Sequence, residues 1–313
     1  MAKSYDVVII GGGPAGLSAA LYSARYGVKT AVIERISTGG QIFITDMVEN
    51  YPGIEKISGP LLSKTMEKQA VDFGTELVID EVESISIKGN NIKEIKGASG
   101  EVYEAPAVII ATGAKYKNLG VPGEEKFRGR GVSNCATCDA MFYKNKEIAV
   151  IGGGDTAVEE ADFLTRFASK VSVIHRRSEL RAVKVIQEKS KKNPKIDFIL
   201  ETVVDEIAGT NGVEKLLLKN VKTGQKSELK VDGVFILVGY EPVTAYLKGF
   251  VKLDEQGYVV ANQDMETNVP GVFACGDCIV KKLRQVVTAA GDGATAAYGA
   301  YHYIEKLKGG EYA

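Results

Sequence analysis

The sequence predicts an α/β fold of two related units, each built on a parallel sheet, with the second unit inserted into the first. Three observations carry this. One pattern occurs twice: VVIIGGGPAG at 7–16 and IAVIGGGDTA at 148–157 each join a β-rich apolar run, a glycine cluster and a helix start. The offset is constant, since Gly11 to Gly152 and Glu34 to His175 both span 141 positions, which marks an internal duplication of a strand–helix–strand unit. After residue 247 the character of the first unit returns.

Along the chain, the first glycine cluster leads into the helical stretch LSAALYSARYG and the apolar strand TAVIE (30–34). SISIKGNNIKEIKG (84–97) alternates and is broken by Gly and Asn, as antiparallel strands with a tight turn are. VIIATGA (108–114) is a late strand ending in glycine. The second copy repeats this order with VEEADFLTRFA, VSVIH (171–175), the alternating KLLLKNVKTGQKSELKV (215–231) and VFILVGY (234–240). GVFACGDC (271–278) reads as a further strand-to-loop, and RQVVTAAGDGATAAYGAYHYIEKL (284–307) as a closing helix. The resulting parse is two Rossmann-like domains, one discontinuous over 1–116 and 248–313, the other inserted over 117–247. An insertion has two crossing points, and these are natural hinges.

Bulk properties agree. A chain of 313 residues suggests two domains. With 45% apolar and 25% charged residues it has the composition of an ordinary globular protein. Lys and Arg total 39 against 40 Asp and Glu, so no global field favours nucleic acid or a membrane. No unbroken apolar run reaches the roughly 18 residues of a membrane span. The apolar start has the look of a leader but no cleavage region, and its glycines serve a fingerprint, so it is read as mature fold. A cytoplasmic location, which is reducing, is expected.

Gly11, Gly13 and Gly16, with Pro14 and Ala15 between them, form G-x-G-x-x-G between a strand and a helix. The first glycine permits the tight turn, the second lets the backbone approach a pyrophosphate and the third lets helix pack on strand. The helix start then offers free N–H groups and a positive dipole end to phosphates. Glu34, followed by Arg35, ends the second strand, where an acid accepts hydrogen bonds from ribose hydroxyls. A glycine turn with no ligand is the plainer alternative. In the second copy Gly152, Gly154 and Ala157 form G-x-G-x-x-A, with Asp155 and Thr156 at the helix start. Where the first copy has Glu34, the second has His175, then Arg176, Arg177 and Arg181. Loss of the acid removes the partner that NAD ribose uses, and arginine forks suit a 2′-phosphate. A solvated basic face is the alternative, because lysines continue to Lys195.

The four cysteines fall in two C-x-x-C pairs, Cys135 with Cys138 and Cys275 with Cys278. Such pairs in a reducing compartment suggest redox or metal chemistry. CATCD (135–139) stands just before the second fingerprint. Cysteines at i and i+3 form a small disulfide loop that can be reduced and re-formed, and Asp139 is placed to act as a general acid. A zinc half-site and two inert buried thiols are the competing readings.

Together these motifs resemble the two-dinucleotide flavoproteins, and most closely the low-molecular-weight, NADPH-dependent thioredoxin reductases. Nearly the whole chain is covered. The resemblance implies FAD at the first site. It assigns Thr112 and Gly113 to the ATG strand end, and Gly276 and Asp277 to the late GD that meets the ribityl-pyrophosphate region. It assigns Gly40 and Gln41 of GGQ, and Asn50 of ENYPG, to flavin-proximal loops. Arg284, Gln285 and Val286 fall at the start of the helix facing the flavin pyrimidine edge. HRRSELRA resembles the box that selects NADPH at the second site. C-x-x-C-D occupies the family's redox position, with Cys138 toward the flavin and Cys135 attacking the partner. The implied reaction is NADPH hydride to FAD, then to the Cys135–Cys138 disulfide, then dithiol exchange with thioredoxin or a similar small protein. The implied enzyme is a homodimer whose domains rotate between half-reactions, needing no metal.

CGDC departs from the pattern, which has GD without flanking cysteines. Cys275 and Cys278 read as small buried residues; a regulatory disulfide and a zinc site shared with CATC are the alternatives. Leu180 stands where an aromatic is frequent, a change expected to alter packing and not phosphate choice. The rivals are a ferredoxin-dependent flavin thioredoxin reductase, whose NADPH motifs would be degraded, a non-catalytic dinucleotide-binding redox sensor, and an NADPH:ferredoxin or flavodoxin reductase, which would not need CATC.

Overall fold

The computed structural model describes residues 2–45 and 47–309. It divides into two compact units, one comprising residues up to Lys115 and from Glu241 onward, the other Tyr116–Tyr240.

In the first unit, strands Val272–Ala274, Ala107–Ile110, Val7–Ile10, Thr30–Glu34 and Glu76–Ile79 lie in that order, all parallel. Val7–Ile10 is an unbroken apolar run because both its faces are covered. On one face Val7 and Ile9 pack with Ala15 and Ala19 of helix Pro14–Arg25 and with Ala296 and Ala300 of helix Val286–Leu307. Small residues let these helices close on each other: a Cβ at Gly293 would lie 2.1 Å from the Ala15 carbonyl. On the other face Val8 and Ile10 pack with Ile85, Ile95 and Tyr103 of a four-stranded sheet. Strands Val82–Lys88 and Ile92–Gly97 of that sheet are antiparallel, as the alternating segment predicted.

The second unit repeats the plan. Strands Val132–Ser133, Gly233–Ile236, Glu147–Ile151, Lys170–Ile174 and Ile196–Ile199 form its parallel sheet in that order. Each fingerprint strand lies between its unit's late strand and the strand ending near Glu34 or His175. Helix Asp155–Leu164 covers one face through Ala157, Ala161 and Leu164. The three antiparallel strands Thr202–Ala208, Lys215–Asn220 and Lys226–Lys230 cover the other.

The two crossings, strands Ala114–Tyr116 and Tyr240–Pro242, pair with each other. The second lies ahead of the position near 247 expected from the sequence. Residues 241–247 are tied to the first unit instead: Val243 N–H donates to the Gly113 carbonyl, and the Thr112 hydroxyl donates to the Val243 carbonyl at 2.7 Å.

Candidate functional site

In the first unit the fingerprint glycines each meet a distinct constraint. Gly11 has φ +105°, and a Cβ there would lie 2.5 Å from the Ala111 carbonyl oxygen. A Cβ at Gly16 would come within 1.8 Å of the Gly11 oxygen, so helix Pro14–Arg25 rests directly on the turn. Gly13 faces open space, and the helix start beside it, from Pro14 to Ala15 and Gly16, has no side-chain cap. An open glycine before an uncapped helix start is the geometry that can accept an anionic group such as a pyrophosphate. The Glu34 carboxylate accepts the Gly12 N–H at 2.7 Å and the Arg35 N–H at 2.8 Å, which holds it at the mouth of the loop.

The residues expected near a flavin lie in the same unit. Asn50 Nδ2 donates to Gln285 Oε1 at 3.1 Å, across 235 positions of sequence. Gln41, in the turn Gly40–Ile44, donates to the Ala114 carbonyl at 3.4 Å. Thr112 is held by Val243, and Gly113 opens onto free space. Gln285 caps the helix beginning at Val286 through a capping box with Thr288. Gly276 has φ +74°, with Ala15 behind it. Asp277 Oδ1 is buried with no hydrogen-bond partner, and burial raises its carboxyl above the usual range. Arg284 donates to the Asp277 carbonyl oxygen and stacks over Tyr258 at 4.4 Å. An orphaned buried carboxylate oxygen beside an open glycine cradle fits a hydroxyl- and phosphate-rich ligand such as a dinucleotide.

In the second unit a Cβ at Gly152 would collide with Ala157 Cβ at 2.5 Å and the Leu237 oxygen at 2.6 Å, the same close helix–strand packing. Gly154 is open, with only Arg181 Nη2 nearby at 3.9 Å, and helix Asp155–Leu164 has no side-chain cap. The Asp155 carboxylate accepts the Val183 N–H, and the Arg181 N–H donates to the Gly153 carbonyl, so the basic box is laced to the fingerprint. A cavity of about 150 Å³ is lined by Gly154, Asp155, Thr156, Ala157 and Arg181 among others. Arg176, Arg177 and Arg181 are exposed. His175 is different: its imidazole is buried against Gly153, with Nε2 unpartnered. Burial, then the charges of Arg181, Arg177 and Arg176, lower its pKa. His175 therefore buttresses the loop, while the three arginines present exposed side chains. Leu180 packs with Val158 and Ala182, a purely apolar role.

Cys135 and Cys138 are joined as a disulfide, their Cα atoms 5.3 Å apart, Cys135 directly before and Cys138 within the short helix Ala136–Asp139. The Cys135 N–H donates to Ser133 Oγ, and Thr137 Oγ1 lies 3.5 Å from the Cys135 sulfur. The preceding Asn134 is anchored on both sides, donating to the Ile236 carbonyl and accepting from Arg128 at 2.7 Å. The Asp139 N–H donates to the Cys135 carbonyl, closing the turn. Three of these supports, Ser133, Asn134 and Arg128, were not singled out from the sequence. Glu160 was also missed; its Oε2 accepts the Ala136 N–H at 3.4 Å.

Cys275 and Cys278 are free and fully buried. They belong to cores on opposite sides of the parallel sheet, Cys275 with Phe273 and Ala289, Cys278 with Val259 and Leu247. The Cys278 thiol donates to the Cys275 carbonyl. No regulatory disulfide joins them. Among the described residues no group of three or more His, Cys, Asp or Glu is arranged to hold a metal, and no helix is long and apolar enough to cross a membrane.

Residues 5–293 match the family model described as pyridine nucleotide-disulphide oxidoreductase. A thioredoxin reductase of Peptoclostridium litorale is 52% identical, with 98% of this chain and 99% of the relative aligned. The crystal structure of thioredoxin reductase from Streptococcus pyogenes MGAS5005 is 47% identical, covers 98% of this chain and 100% of its own, and has a TM-score of 0.92. That of Lactococcus lactis thioredoxin reductase in its FR conformation is 45% identical over 96% and 99%, with a TM-score of 0.67. Whole-chain likeness thus differs between these two relatives far more than identity does.

Proposed function

The chain belongs to the pyridine nucleotide-disulphide oxidoreductase family and is an oxidoreductase of the thioredoxin reductase kind; from that premise we propose that it carries electrons from NADPH through FAD to the Cys135–Cys138 disulfide and on to thioredoxin. The observation that carries this reading is the disulfide itself, set in the same unit as a fingerprint whose neighbours are arginines. FAD, when bound, supplies the two-electron relay between nicotinamide and disulfide.

The first unit would hold FAD. The backbone N–H groups of Gly13, Ala15 and Gly16 would meet the pyrophosphate, Glu34 the ribose, and Asp277 the ribityl region. Asn50 and Gln285, already bonded to each other, orient the flavin edge. In the second unit the N–H groups beside Gly154 meet the NADPH pyrophosphate, and Arg176, Arg177 and Arg181 supply charge-assisted bonds to the 2′-phosphate, which NADH lacks. Cys138 receives electrons and Cys135 attacks the partner disulfide as a thiolate. Asp139, on the last position of the redox helix, moves the proton that this exchange requires.

Nicotinamide and disulfide share one unit, yet both must reach the flavin of the other. We therefore propose rotation about the paired strands Ala114–Tyr116 and Tyr240–Pro242 between half-reactions. We take the working form as a cytoplasmic homodimer; the exposed apolar side chains of Phe43, Ile44, Leu61 and Phe73 in the first unit support an interface.

The test is an anaerobic mix of protein with one equivalent of NADPH, following flavin absorbance, and then addition of oxidised thioredoxin. Bleaching by NADPH but not NADH, with recovery on thioredoxin, is the expected result. No bleaching by NADPH refutes the donor assignment and turns attention to ferredoxin. Bleaching with no recovery by any small disulfide protein refutes the acceptor.

A further inference from the structure

Glu160 is an acid that the reaction above leaves unused. It lies on helix Asp155–Leu164 between Ala157 and Ala161, which pack with Ala136 and Ala140 of the redox loop in one cluster. Its Oε2 accepts the Ala136 N–H at 3.4 Å. Ala136 directly follows Cys135, so the carboxyl group is one peptide unit from the sulfur-bearing residue. An acceptor for that N–H could be a neutral amide; a half-buried carboxyl costs more desolvation.

The surroundings leave the charge uncompensated. Its own helix presents Glu159, which repels it, and Asp155 and Asp162; Asp162 is paired with Lys189 of helix Lys184–Lys191. The redox helix presents Asp139, and the turn after it Tyr143, whose phenol burial pushes up to about 12. Of the adjoining strands, Lys170 is paired with Asp197, and the other charge is Glu147. Burial, against the Ala136 hydrogen bond and with the charge of Glu159, raises the Glu160 carboxyl to about 7.

We propose that Glu160 is a positioning residue of the redox loop that also stores a proton for it, taken up as the Cys135–Cys138 disulfide opens and released as it re-forms. The proposal rests on the reading of that disulfide as the redox pair. The flavin, once bound and reduced, would supply the two electrons that break the Sγ–Sγ bond and would give up its own proton to solvent, leaving two sulfur anions. The Cys135 anion and the Glu160 carboxylate repel, and one proton from solvent on Glu160 relieves this while Cys135 stays a thiolate, the attacking form. Re-forming the bond passes both electrons to the partner disulfide. The partner leaves as a dithiol with one proton from Glu160 and one from solvent passed through Asp139.

The experiment is peptide-resolved alkylation of Cys135 by iodoacetamide between about pH 5 and 9, on holoenzyme reduced with dithiothreitol so that it does not depend on the NADPH assignment. Wild type should show two steps in rate, one near 7. Glu160→Gln keeps an acceptor for Ala136 and removes the charge. It should show one step and react about tenfold faster just above neutrality. Glu160→Ala should also lose the step and, lacking the acceptor, turn over thioredoxin more slowly than Gln. A single-step wild-type profile, or a Gln profile that overlays wild type, overturns the proposal; the wild-type profile decides alone if the variants misfold. A Cys135 that dithiothreitol cannot reduce would instead overturn the redox reading.

Discussion

The imidazole of His175 lies against Gly153 so closely that a Cβ on that glycine would stand 2.3 Å from Nδ1. His175 directly follows a strand buried from Val171 to Ile174 and has little room to withdraw. Overpacking of this kind costs about 1–3 kcal/mol. Part of the strain must fall on the loop that opens at Gly154. Gly153→Ala should therefore raise the KM for NADPH about tenfold while flavin content stays at the wild-type level. Steady-state kinetics beside a flavin-to-protein absorbance ratio checks this, and an unchanged KM would sink the packing argument.

Arg181 is the arginine nearest the open glycine of the second fingerprint. Its guanidinium is exposed, so its removal leaves no buried gap. A hydrogen bond to a charged group contributes about 1.5–3 kcal/mol. Arg181→Ala should lower kcat/KM for NADPH roughly ten- to hundredfold and leave the weak rate with NADH nearly unchanged. Equal losses with both donors would place Arg181 away from the 2′-phosphate.

What the sequence made legible was local. Gly11, Gly16 and Gly152 act within a strand–turn–helix of adjacent residues, and the register of Glu34 with His175 follows from duplication. The C-x-x-C loop is likewise contiguous. Relationships formed by packing were not legible. Glu160 meets Ala136 only because two helices pack through alanines. Asn134 is fixed by a carbonyl 102 positions away. The second crossing lies at Tyr240–Glu241, where the Val243 N–H donates to the Gly113 carbonyl and the Thr112 hydroxyl donates to the Val243 carbonyl, bonds that no periodicity encodes. His175 was read as one of a basic set, whereas burial separates it from its arginine neighbours.

Asp277 gives a prediction in pH. Burial raises its folded-state pKa above the unfolded value. The fold thus binds this proton more tightly than the unfolded chain does. Stability from this group is complete below the ordinary carboxylate range and is lost as pH rises through the raised value. Asp277→Asn should remove that loss. Flavin-stripped Asp277→Asn should melt higher than flavin-stripped wild type at pH 8, by about 1–2 kcal/mol in stability, and no higher at pH 4. The same variant should bind FAD more weakly, because Asn lacks the charged acceptor. Matching melting curves at both pH values would mean that the buried oxygen carries no strain.

Cys275 and Cys278 look alike in sequence but should differ when changed to serine. Burial raises both thiols, so neither is a thiolate near neutrality. The Cys278 thiol already donates to the Cys275 carbonyl at 3.2 Å, and a serine hydroxyl there inherits an acceptor. Cys275 sits among Phe273, Ala289 and Ala296 with no hydrogen bond to its sulfur among those described. A serine hydroxyl at 275 would be buried without a partner, which costs about 1–3 kcal/mol. Cys278→Ser should therefore lower stability by less than about 1 kcal/mol, and Cys275→Ser by the larger amount, measured by urea unfolding. Neither substitution touches the disulfide at 135 and 138, so thioredoxin reduction should stay near wild type in both, and native protein should resist alkylation at 275 and 278. If Cys275→Ser instead abolished turnover while leaving stability intact, the second pair would be part of the chemistry rather than of the core.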